Sequence, residues 1–373
     1  MKMKRLSLFF VLCALALGAC NGAPKLVYFG DTLDWNTDWV KKQCGTLDIE
    51  KNIIEVSGIA CSRVTPGYIW MQSDETDSRH NTYIIATDEK GAERACKVNF
   101  TKIYRWDWED MSGGVYEGKN YLFIGAFGDN DETDGEYCII YFEEPAIDPV
   151  NTPEVTVTAS RIKFVYPDGK KHNCEALMYD NREQMIYIVT KVYYNVCQVF
   201  SIPFRLDYGD EEQTLTYICD LGVRSDLGES SNNKPYKGFH LVTAADISPD
   251  GKYILIKNHN NIVPTYCWVL LWERQDGESV AETLIREKHP QPIKAYNTYE
   301  WQGEAICWLD DDTFYTTSDA DDGNPPIYKF TKKTQSVPTT SDERSMTTKI
   351  LRDGQVVIVR NDRTYSLLGQ TIK

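Results

Sequence analysis

The sequence predicts an all-β protein folded as a β-propeller, in which small antiparallel sheets, the blades, surround a central channel. Three observations support this prediction: a short motif that recurs five times, two strand-like segments after each copy, and turn residues between the segments. Units of three to four short strands that repeat at intervals of about 40 to 60 residues are typical of propeller blades.

The recurring motif is a pair of polar or small residues followed by an apolar residue. The third positions of successive copies lie 52, 66, 70 and 59 residues apart. These intervals accommodate one blade each and leave room for extra edge strands. The five copies are Ser57-Gly58-Ile59, Glu109-Asp110-Met111, Glu175-Ala176-Leu177, Ala245-Asp246-Ile247 and Glu304-Ala305-Ile306.

Each motif is followed by an apolar segment that ends in polar residues, such as YLFIGAFGDND or MIYIVTK, and then by a third segment, such as YCIIYFEEP or CQVFSIPF. These segments are rich in Tyr, Ile, Val, Phe and Trp, which favour strands, and Gly, Asp, Asn and Pro separate them. A sixth blade could come from the segment before Ser57 or from the weaker strands between Thr214 and Tyr236. We therefore prefer six blades, with five or seven as the alternatives.

The beginning of the chain has the pattern of a signal peptide over residues 1–19. Lys2, Lys4 and Arg5 precede an apolar run that is shorter than the roughly 20 residues needed to span a bilayer. The run ends in LGAC, which resembles the lipobox of bacterial lipoproteins. Cys20 would then be the lipidation site and the first mature residue, and an ordinary secretory signal is the alternative. We expect a lipid-anchored protein of the bacterial cell envelope, periplasmic or surface-facing.

The end of the chain differs in composition from the repeats. We expect the propeller over residues 20–331, a polar Ser/Thr-rich linker over 332–349 and a C-terminal tail over 350–373 that forms a short β-hairpin.

The chain is acidic, with 40 Lys and Arg against 55 Asp and Glu and a net charge of −15, which becomes −18 once the three basic residues of the signal are removed. Such a surface repels phosphate backbones and anionic headgroups and attracts cations. We expect no nucleic-acid partner, membrane contact only through the lipid anchor, and a monomer. Nine cysteines remain after the signal, an odd number without a CxxC motif, which favours buried free thiols over one or two disulfides.

Two rings of side chains are expected on one face of the propeller. The loops that lead into the innermost strands and the loops that follow the second strands open on the same side. The first ring would contain Glu109, Asp110, Glu175, Asp246 and Glu304, and the second Asp74, Glu75, Asp129, Asp131, Lys191, Lys257, His259, Asp319 and Asp321. A carboxylate in a narrow channel has to be paired, hydrogen-bonded or bound to metal. Alternatively, these acids accept backbone hydrogen bonds and only hold the blades together.

A ring of acids suits a hard cation such as Ca²⁺, which takes about six to eight oxygen ligands. The predicted cofactor is therefore Ca²⁺. The predicted metal ligands are Glu109, Asp129, Glu175 and Glu304, and the predicted residues for binding a further ligand are Asp74, Glu75, Asp110, Asp246 and Asp319.

Four motifs in combination carry a resemblance to a known family: DWED at 107–110, GDN at 128–130, YPDG at 166–169 and EAL at 175–177. The stretch from Val56 to Lys191 resembles a widespread and mostly uncharacterised family of exported bacterial β-propellers, similar in blade pattern to phytase-like and esterase-like propellers. The arginine that the family carries after GDN is missing from residues 131–137, a departure that puts anion binding in doubt for this chain.

These observations lead to three hypotheses for the function. In the first, the protein is a lipoprotein that binds a divalent cation, together with a small molecule, a glycan or an envelope protein, on its acidic face. In the second it is a metal-assisted phosphoester or carboxylic ester hydrolase. Its candidate catalytic residues are Glu175, Lys191 and His259, although a solvated loop position is the simpler interpretation of His259. In the third it is a structural scaffold of the envelope. No GxSxG motif is present to support a serine nucleophile.

Overall fold

The computed structural model describes residues 36–74, 83–101, 107–133, 136–192, 197–221, 240–260, 267–286, 290, 292–294, 302–319 and 323–333, and in addition the strand backbones at 347–352, 355–360, 363–365 and 371–372. The predicted signal peptide, Cys20, Glu75 and Asp321 lie outside the described residues. Within the described part, no helix has the length and apolar character needed to cross a membrane.

Up to Lys332, the residues that the structure describes form mostly strands, with one seven-residue helix, α1 (Val280–Arg286). The strands, in chain order, are β1 (Trp39–Thr46), β2 (Val56–Cys61), β3 (Tyr68–Ser73), β4 (Tyr83–Asp88), β5 (Arg94–Thr101), β6 (Trp108–Tyr116), β7 (Lys119–Ala126), β8 (Tyr137–Glu143), β9 (Glu154–Thr158), β10 (Ser160–Val165), β11 (Cys174–Asp180), β12 (Met185–Thr190), β13 (Cys197–Pro203), β14 (Gln213–Thr214), β15 (Thr216–Leu221), β16 (His240–Ile247), β17 (Tyr253–Asn260), β18 (Cys267–Glu273), β19 (Pro292–Lys294), β20 (Ala305–Asp310), β21 (Thr313–Thr317) and β22 (Pro326–Lys332).

These strands form five blades around one axis. In order from the centre outwards, blade 1 is β2-β3-β4-β5, blade 2 is β6-β7-β8-β10, blade 3 is β11-β12-β13-β15, blade 4 is β16-β17-β18-β19 and blade 5 is β20-β21-β22-β1. Strand β9 extends blade 1 and β14 extends blade 2, both by parallel pairing. The innermost strands contact one another in the closed order β2, β6, β11, β16, β20 and back to β2.

The predicted all-β propeller is therefore confirmed, with five blades, one of the two alternatives, in place of the preferred six. The two segments considered for a sixth blade each complete an existing one. The segment before Ser57 supplies β1, which pairs with β22 from Trp39↔Lys332 to Thr46↔Pro326. The segment after Thr214 supplies β15, the outer strand of blade 3. A fourth strand carries no motif of its own, so it is easily counted as the start of another blade.

The core of the propeller consists of five layers of side chains, each between two neighbouring blades. The innermost strands are mostly buried, and two of them, VSGIAC of β2 and CEALMYD of β11, are buried along their whole length. The outer strand β9 instead alternates between exposed and half-buried residues. In the layer between blades 4 and 5, Trp39 lies 5.7 Å from the ring of Trp308 and 5.1 Å from that of Phe314. The strand that closes the ring is thus held by packing as well as by hydrogen bonds.

A separate unit begins at Lys333. Its backbone forms a four-stranded antiparallel sheet of β23 (Thr347–Arg352), β24 (Gln355–Arg360), β25 (Arg363–Tyr365) and β26 (Thr371–Ile372). The sequence predicted a hairpin over 350–373, which corresponds to the long pair β23 and β24. The two further strands are only three and two residues long, too short to show a pattern in the sequence, and β23 begins within the stretch expected to be a linker.

Candidate functional site

Five carboxyl groups that the sequence placed in the two rings lie at the same end of the channel. Glu109, Glu175 and Glu304 stand at the start of innermost strands or directly before them, and Asp74 and Asp319 follow second strands. All except Asp74 are buried, and Asp74 is half-buried. We call these five residues the acid cluster. They come from blades 1, 2, 3 and 5, because the blade repeat brings the same two strand ends to one face in every blade.

Lys191 is the basic group that contacts the acid cluster. It follows β12 of blade 3, and its Nζ lies 3.0 Å from Oε1 of Glu175, with only 10% of its side chain exposed. Burial lowers the pKa of Lys191, but the carboxylates of Glu175, Glu304 and Glu109 raise it more strongly, so the net shift is upward. The ammonium group is therefore charged at neutral pH and compensates part of the cluster's negative charge.

Glu109 and Glu175 form a hydrogen-bonded pair of carboxyl groups. The pKa of Glu109 is raised well above its usual range, first by burial and then by the charge of Glu175 and the hydrogen bond to it. The negative charge of Glu175 therefore opposes the loss of the proton from Glu109. Gly128 makes this arrangement possible, since a Cβ at that position would overlap Oε1 of Glu109. The amide of Asn173 donates to Oε1 of Glu175 over 3.2 Å.

Glu304 and Asp74 also carry raised pKa values. Burial raises the pKa of Glu304 to about 8; the charges of Lys191 and Lys257 act to lower it, and those of Glu175 and Asp319 act to raise it. Burial and the charges of Glu304, Glu175 and Asp319 raise the pKa of Asp74. The Oδ1 atom of Asp74 is buried and accepts no hydrogen bond from any residue that the structure describes. Asp319 accepts a hydrogen bond of 2.7 Å from Nε2 of Gln302.

Asp110 and Asp246 do not belong to the cluster, although the sequence analysis assigned both to ligand binding. Oδ2 of Asp110 accepts hydrogen bonds from the backbone N–H groups of Leu177 (2.8 Å) and Ala245 (2.9 Å). Asp246 accepts hydrogen bonds from Ser112 Oγ (3.0 Å) and the backbone N–H of Trp308 (2.8 Å). Both carboxyl groups therefore connect innermost strands of different blades. This is the structural alternative that the sequence analysis left open.

Asp129, assigned to metal binding from the sequence, uses its carboxylate within its own loop. Oδ1 accepts from the backbone N–H of Thr133 over 2.8 Å, and Oδ2 accepts from the hydroxyl of Tyr137 over 2.6 Å. Asp131, two residues later, is exposed. The GDN motif thus contributes Gly128, and through it space for Glu109, rather than an available carboxylate.

The two other predicted basic groups, Lys257 and His259, lie on β17 of blade 4. Nζ of Lys257 is buried and donates to the carbonyl oxygens of Thr317 (2.8 Å) and Ala305 (3.3 Å) in blade 5. His259 is only 3% exposed, so the interpretation as a solvated loop histidine was wrong. It pairs with Leu241 and Cys267 inside a three-stranded part of the sheet, because β17 continues three residues beyond Lys257.

Two residues near the cluster were missed from the sequence. Asp107 lies against Gly128 beside Glu109 and contributes to the raised pKa of Glu109. Asn173 connects Glu175 with Oδ1 of Asn130, which it reaches over 3.1 Å, and its own Oδ1 accepts from the backbone N–H of Asp129. Both stand two residues before a predicted site residue, a position from which a strand side chain points to the same face.

The spacing of the carboxyl groups decides whether they can hold a metal ion directly. Among the side chains that the structure describes, no three from His, Cys, Asp and Glu are grouped closely enough to hold one metal ion directly. The described carboxylates are instead distributed around the channel mouth, with Lys191 against one of them.

Comparisons with known proteins found distantly similar structures and no family. No family model matches the chain, and no curated protein matches it. Among solved structures, the chain is similar to the PQQ-bound aldose sugar dehydrogenase of Streptomyces coelicolor, with 8% identity, coverage of 83% of this chain and 99% of that one, and a TM-score of 0.38.

Two further structures have similar scores. The Dos1 propeller shares 12% identity, with coverage of 85% of this chain and 69% of that one and a TM-score of 0.31. Raptor of Chaetomium thermophilum shares 8% identity, with coverage of 90% of this chain, 25% of that one and a TM-score of 0.33. The function of this chain therefore has to be inferred from its site residues.

Proposed function

We propose that this protein is an exported, lipid-anchored propeller that binds a divalent cation, with Ca²⁺ as the candidate, at the mouth of its channel. The observation that carries this proposal is the convergence of five carboxyl groups from four blades, with Lys191 against Glu175 and Lys257 acting on Glu304. Buried carboxylates are costly unless they are compensated. A cation from solution would supply the charge that these two lysines do not.

Asp74 supports the same proposal. Its Oδ1 is buried without a hydrogen-bond donor among the described residues, and its raised pKa reflects burial and three neighbouring acids. A positive ion nearby would stabilise this buried carboxylate, because its charge offsets both the desolvation penalty and the repulsion from the neighbouring acids. The charge of a bound cation would lower the pKa of Asp74, Glu109 and Glu304 together.

The spacing of the carboxylates limits how a cation would be held. Since no three described acids are positioned to coordinate one ion directly, water molecules or backbone carbonyls would have to supply most of the ligands, as they do in many Ca²⁺ sites. A ligand or partner with a positive or hydroxyl-rich surface would then bind over the same face.

A metal-assisted ester hydrolase is the second candidate, and the Glu109–Glu175 pair is the observation that favours it. A protonated carboxyl beside an ionised one can act as general acid and base, and such shifted groups concentrate at functional sites. Lys191 would then orient Glu175.

The test is thermal unfolding of the protein in chelator and in millimolar Ca²⁺, beside three variants. Binding to the folded state raises the melting temperature by mass action. We expect a Ca²⁺-dependent rise for the natural sequence that is lost in Glu175→Gln and reduced in Asp74→Asn. Asp210→Asn, which removes an equal charge from an exposed loop between β13 and β14, serves as the control and should keep the full rise.

In chelator at pH 8, Asp74→Asn should be more stable than the natural sequence, because it removes an uncompensated buried charge. An equal Ca²⁺ response in all four proteins would mean that the ion acts on the acidic surface and not in the cluster. No response at all would leave the acids with a structural role. Turnover of a model phosphoester or carboxylic ester that is lost in Glu109→Gln would favour the hydrolase.

A further inference from the structure

Two cysteine sulfurs touch at the centre of the molecule. Cys61 is the last residue of β2 in blade 1, and Cys307 is the third residue of β20 in blade 5. Their Sγ atoms are 3.4 Å apart, and the residues are 7% and 2% exposed. At that distance the sulfurs are in van der Waals contact, and a disulfide bond would bring them to about 2.0 Å.

The two cysteines lie where blade 5 meets blade 1 and closes the ring, a junction that we call the seam. Blade 1 contains the first innermost strand of the chain and blade 5 the last, and the two cysteines are 246 positions apart. Both belong to the core layer between these blades, with Ile59, Met71 and Ile327 around them. At the outer edge of blade 5, β1 already joins the two ends of the propeller through its hydrogen bonds to β22.

We propose that Cys61 and Cys307 form a disulfide bond that locks the first blade to the last. This inference does not depend on cation binding. The disulfide would join blade 1 to blade 5 close to the channel, just as the pairing of β1 with β22 joins the two ends of the propeller at its outer edge. A bond that closes so long a segment restricts the unfolded chain strongly, which is the setting in which a disulfide stabilises most.

The bond forms by thiol–disulfide exchange with glutathione disulfide or the disulfide of an exported oxidoreductase. One cysteine thiolate attacks the oxidant disulfide, giving a mixed disulfide and releasing one oxidant thiolate. The second cysteine loses its proton and attacks the protein sulfur of that mixed disulfide, which releases the second oxidant thiolate. Two electrons and two protons leave the pair, and the oxidant becomes two thiols.

The reaction has to take place before the seam is closed. Burial, followed by the hydrogen bond to Cys61, raises the pKa of Cys307 well above its usual value. A buried thiol with a raised pKa reacts slowly. The pair is therefore oxidised while the chain folds, and a chain that folds fully reduced keeps both thiols in a protected state.

The experiment is refolding of the protein from denaturant with glutathione disulfide and glutathione, followed by alkylation and non-reducing tryptic mass mapping of the monomer. Trypsin releases Cys61 in the peptide 52–63 and Cys307 in the peptide 295–329, each with no other cysteine. We expect these two peptides to be joined and to separate on reduction. The melting temperature of the oxidised monomer should fall by several degrees when a reductant is added.

Two variants separate this bond from a general effect of oxidation. In Cys61→Ser the reductant should no longer change the melting temperature. Cys138→Ser, which alters another buried thiol, should keep both the joined peptides and the shift. Recovery of the two peptides alkylated and separate from the oxidised monomer, or joined to other cysteines, would overturn the proposal without any variant having to fold.

Discussion

Lys191 and Glu175 form the ion pair on which the charge balance of the channel mouth depends. Both side chains are nearly inaccessible, with exposed fractions of 10% and 3%. Unlike a salt bridge at the surface, this pair has other acids beside it. The carboxylates of Glu304 and Glu109 also raise the pKa of Lys191. Removing either partner leaves the other with uncompensated neighbours.

We predict that Lys191→Met destabilises the protein by about 3–5 kcal/mol, the usual cost of leaving one buried charge without its partner. Lys252→Met is the matched control. It breaks a pair with Glu273 in which both side chains are largely exposed, and such pairs contribute about 1 kcal/mol or less. Chemical denaturation at pH 7.5 in chelator measures both.

Ca²⁺ should restore part of the stability lost in Lys191→Met, since it can replace the missing positive charge. If Lys191→Met proved as stable as Lys252→Met, the ion pair would contribute little, and the argument that the cluster lacks positive charge would fail.

At the scale of single elements, β1 is the strand on which closure of the ring depends. It is separated in sequence from the rest of blade 5 by four complete blades, yet it forms that blade's outer edge. Its register with β22 is interrupted once, between Gln43 and Gly45. Trp39 anchors the beginning of the strand between blades 4 and 5.

Trp39→Ala is expected to destabilise the protein by about 3–5 kcal/mol, because it removes a large side chain packed against Trp308 and Phe314. Val40→Ala, the next residue on the same strand and 49% exposed, should change stability by about 0.5 kcal/mol or less. The free energy of unfolding of the two variants, measured in urea, tests the difference. Equal effects would show that β1 adds only backbone pairing.

Glu144 is a second element-scale connection, between blades 1 and 2. Its Oε1 accepts hydrogen bonds from Ser62 Oγ (2.5 Å) and from Nε1 of Trp70 (2.9 Å), and Oε2 accepts from the backbone N–H of Arg63 (3.2 Å). Buried acids therefore serve two purposes in this protein. Glu144, Asp110 and Asp246, which accept several N–H or O–H hydrogen bonds, connect blades, whereas the acids of the cluster have mainly other acids as neighbours.

For the whole molecule, the raised pKa values of the cluster predict how stability depends on pH. Glu304 has its pKa raised from 4.5 to about 8, and Asp74 and Glu109 are shifted in the same direction. Over that interval the folded state binds more protons than the unfolded state, so stability falls as pH rises. Lys191 does not alter this trend, because the stability it contributes is lost only above its unfolded pKa of 10.5.

We therefore expect the melting temperature in chelator to decrease from pH 5 to pH 8 and to level off above. Added Ca²⁺ should flatten the decrease, because a bound cation stabilises the ionised carboxylates, and Glu175→Gln should weaken the effect of the ion. A melting temperature that rises over the same range in chelator would contradict the raised pKa values of the cluster. It would also mean that the cluster does not lack positive charge.

The sequence by itself determined the propeller, the five motif-bearing blades and the face on which the acids meet. All three follow from the motif, the apolar segments and the turn residues that repeat along the chain. The sequence also predicted buried thiols, and eight of the nine cysteines from Cys44 to Cys307 are buried.

Only the tertiary structure decided which acids belong together. Asp110 and Glu109 are adjacent in sequence, but a strand points neighbouring side chains to opposite sides, so one connects blades and the other joins the cluster. Likewise, β1 in blade 5 and Cys61 against Cys307 are contacts between distant parts of the chain. Such pairings depend on the closure of the ring, which no local pattern of residues encodes.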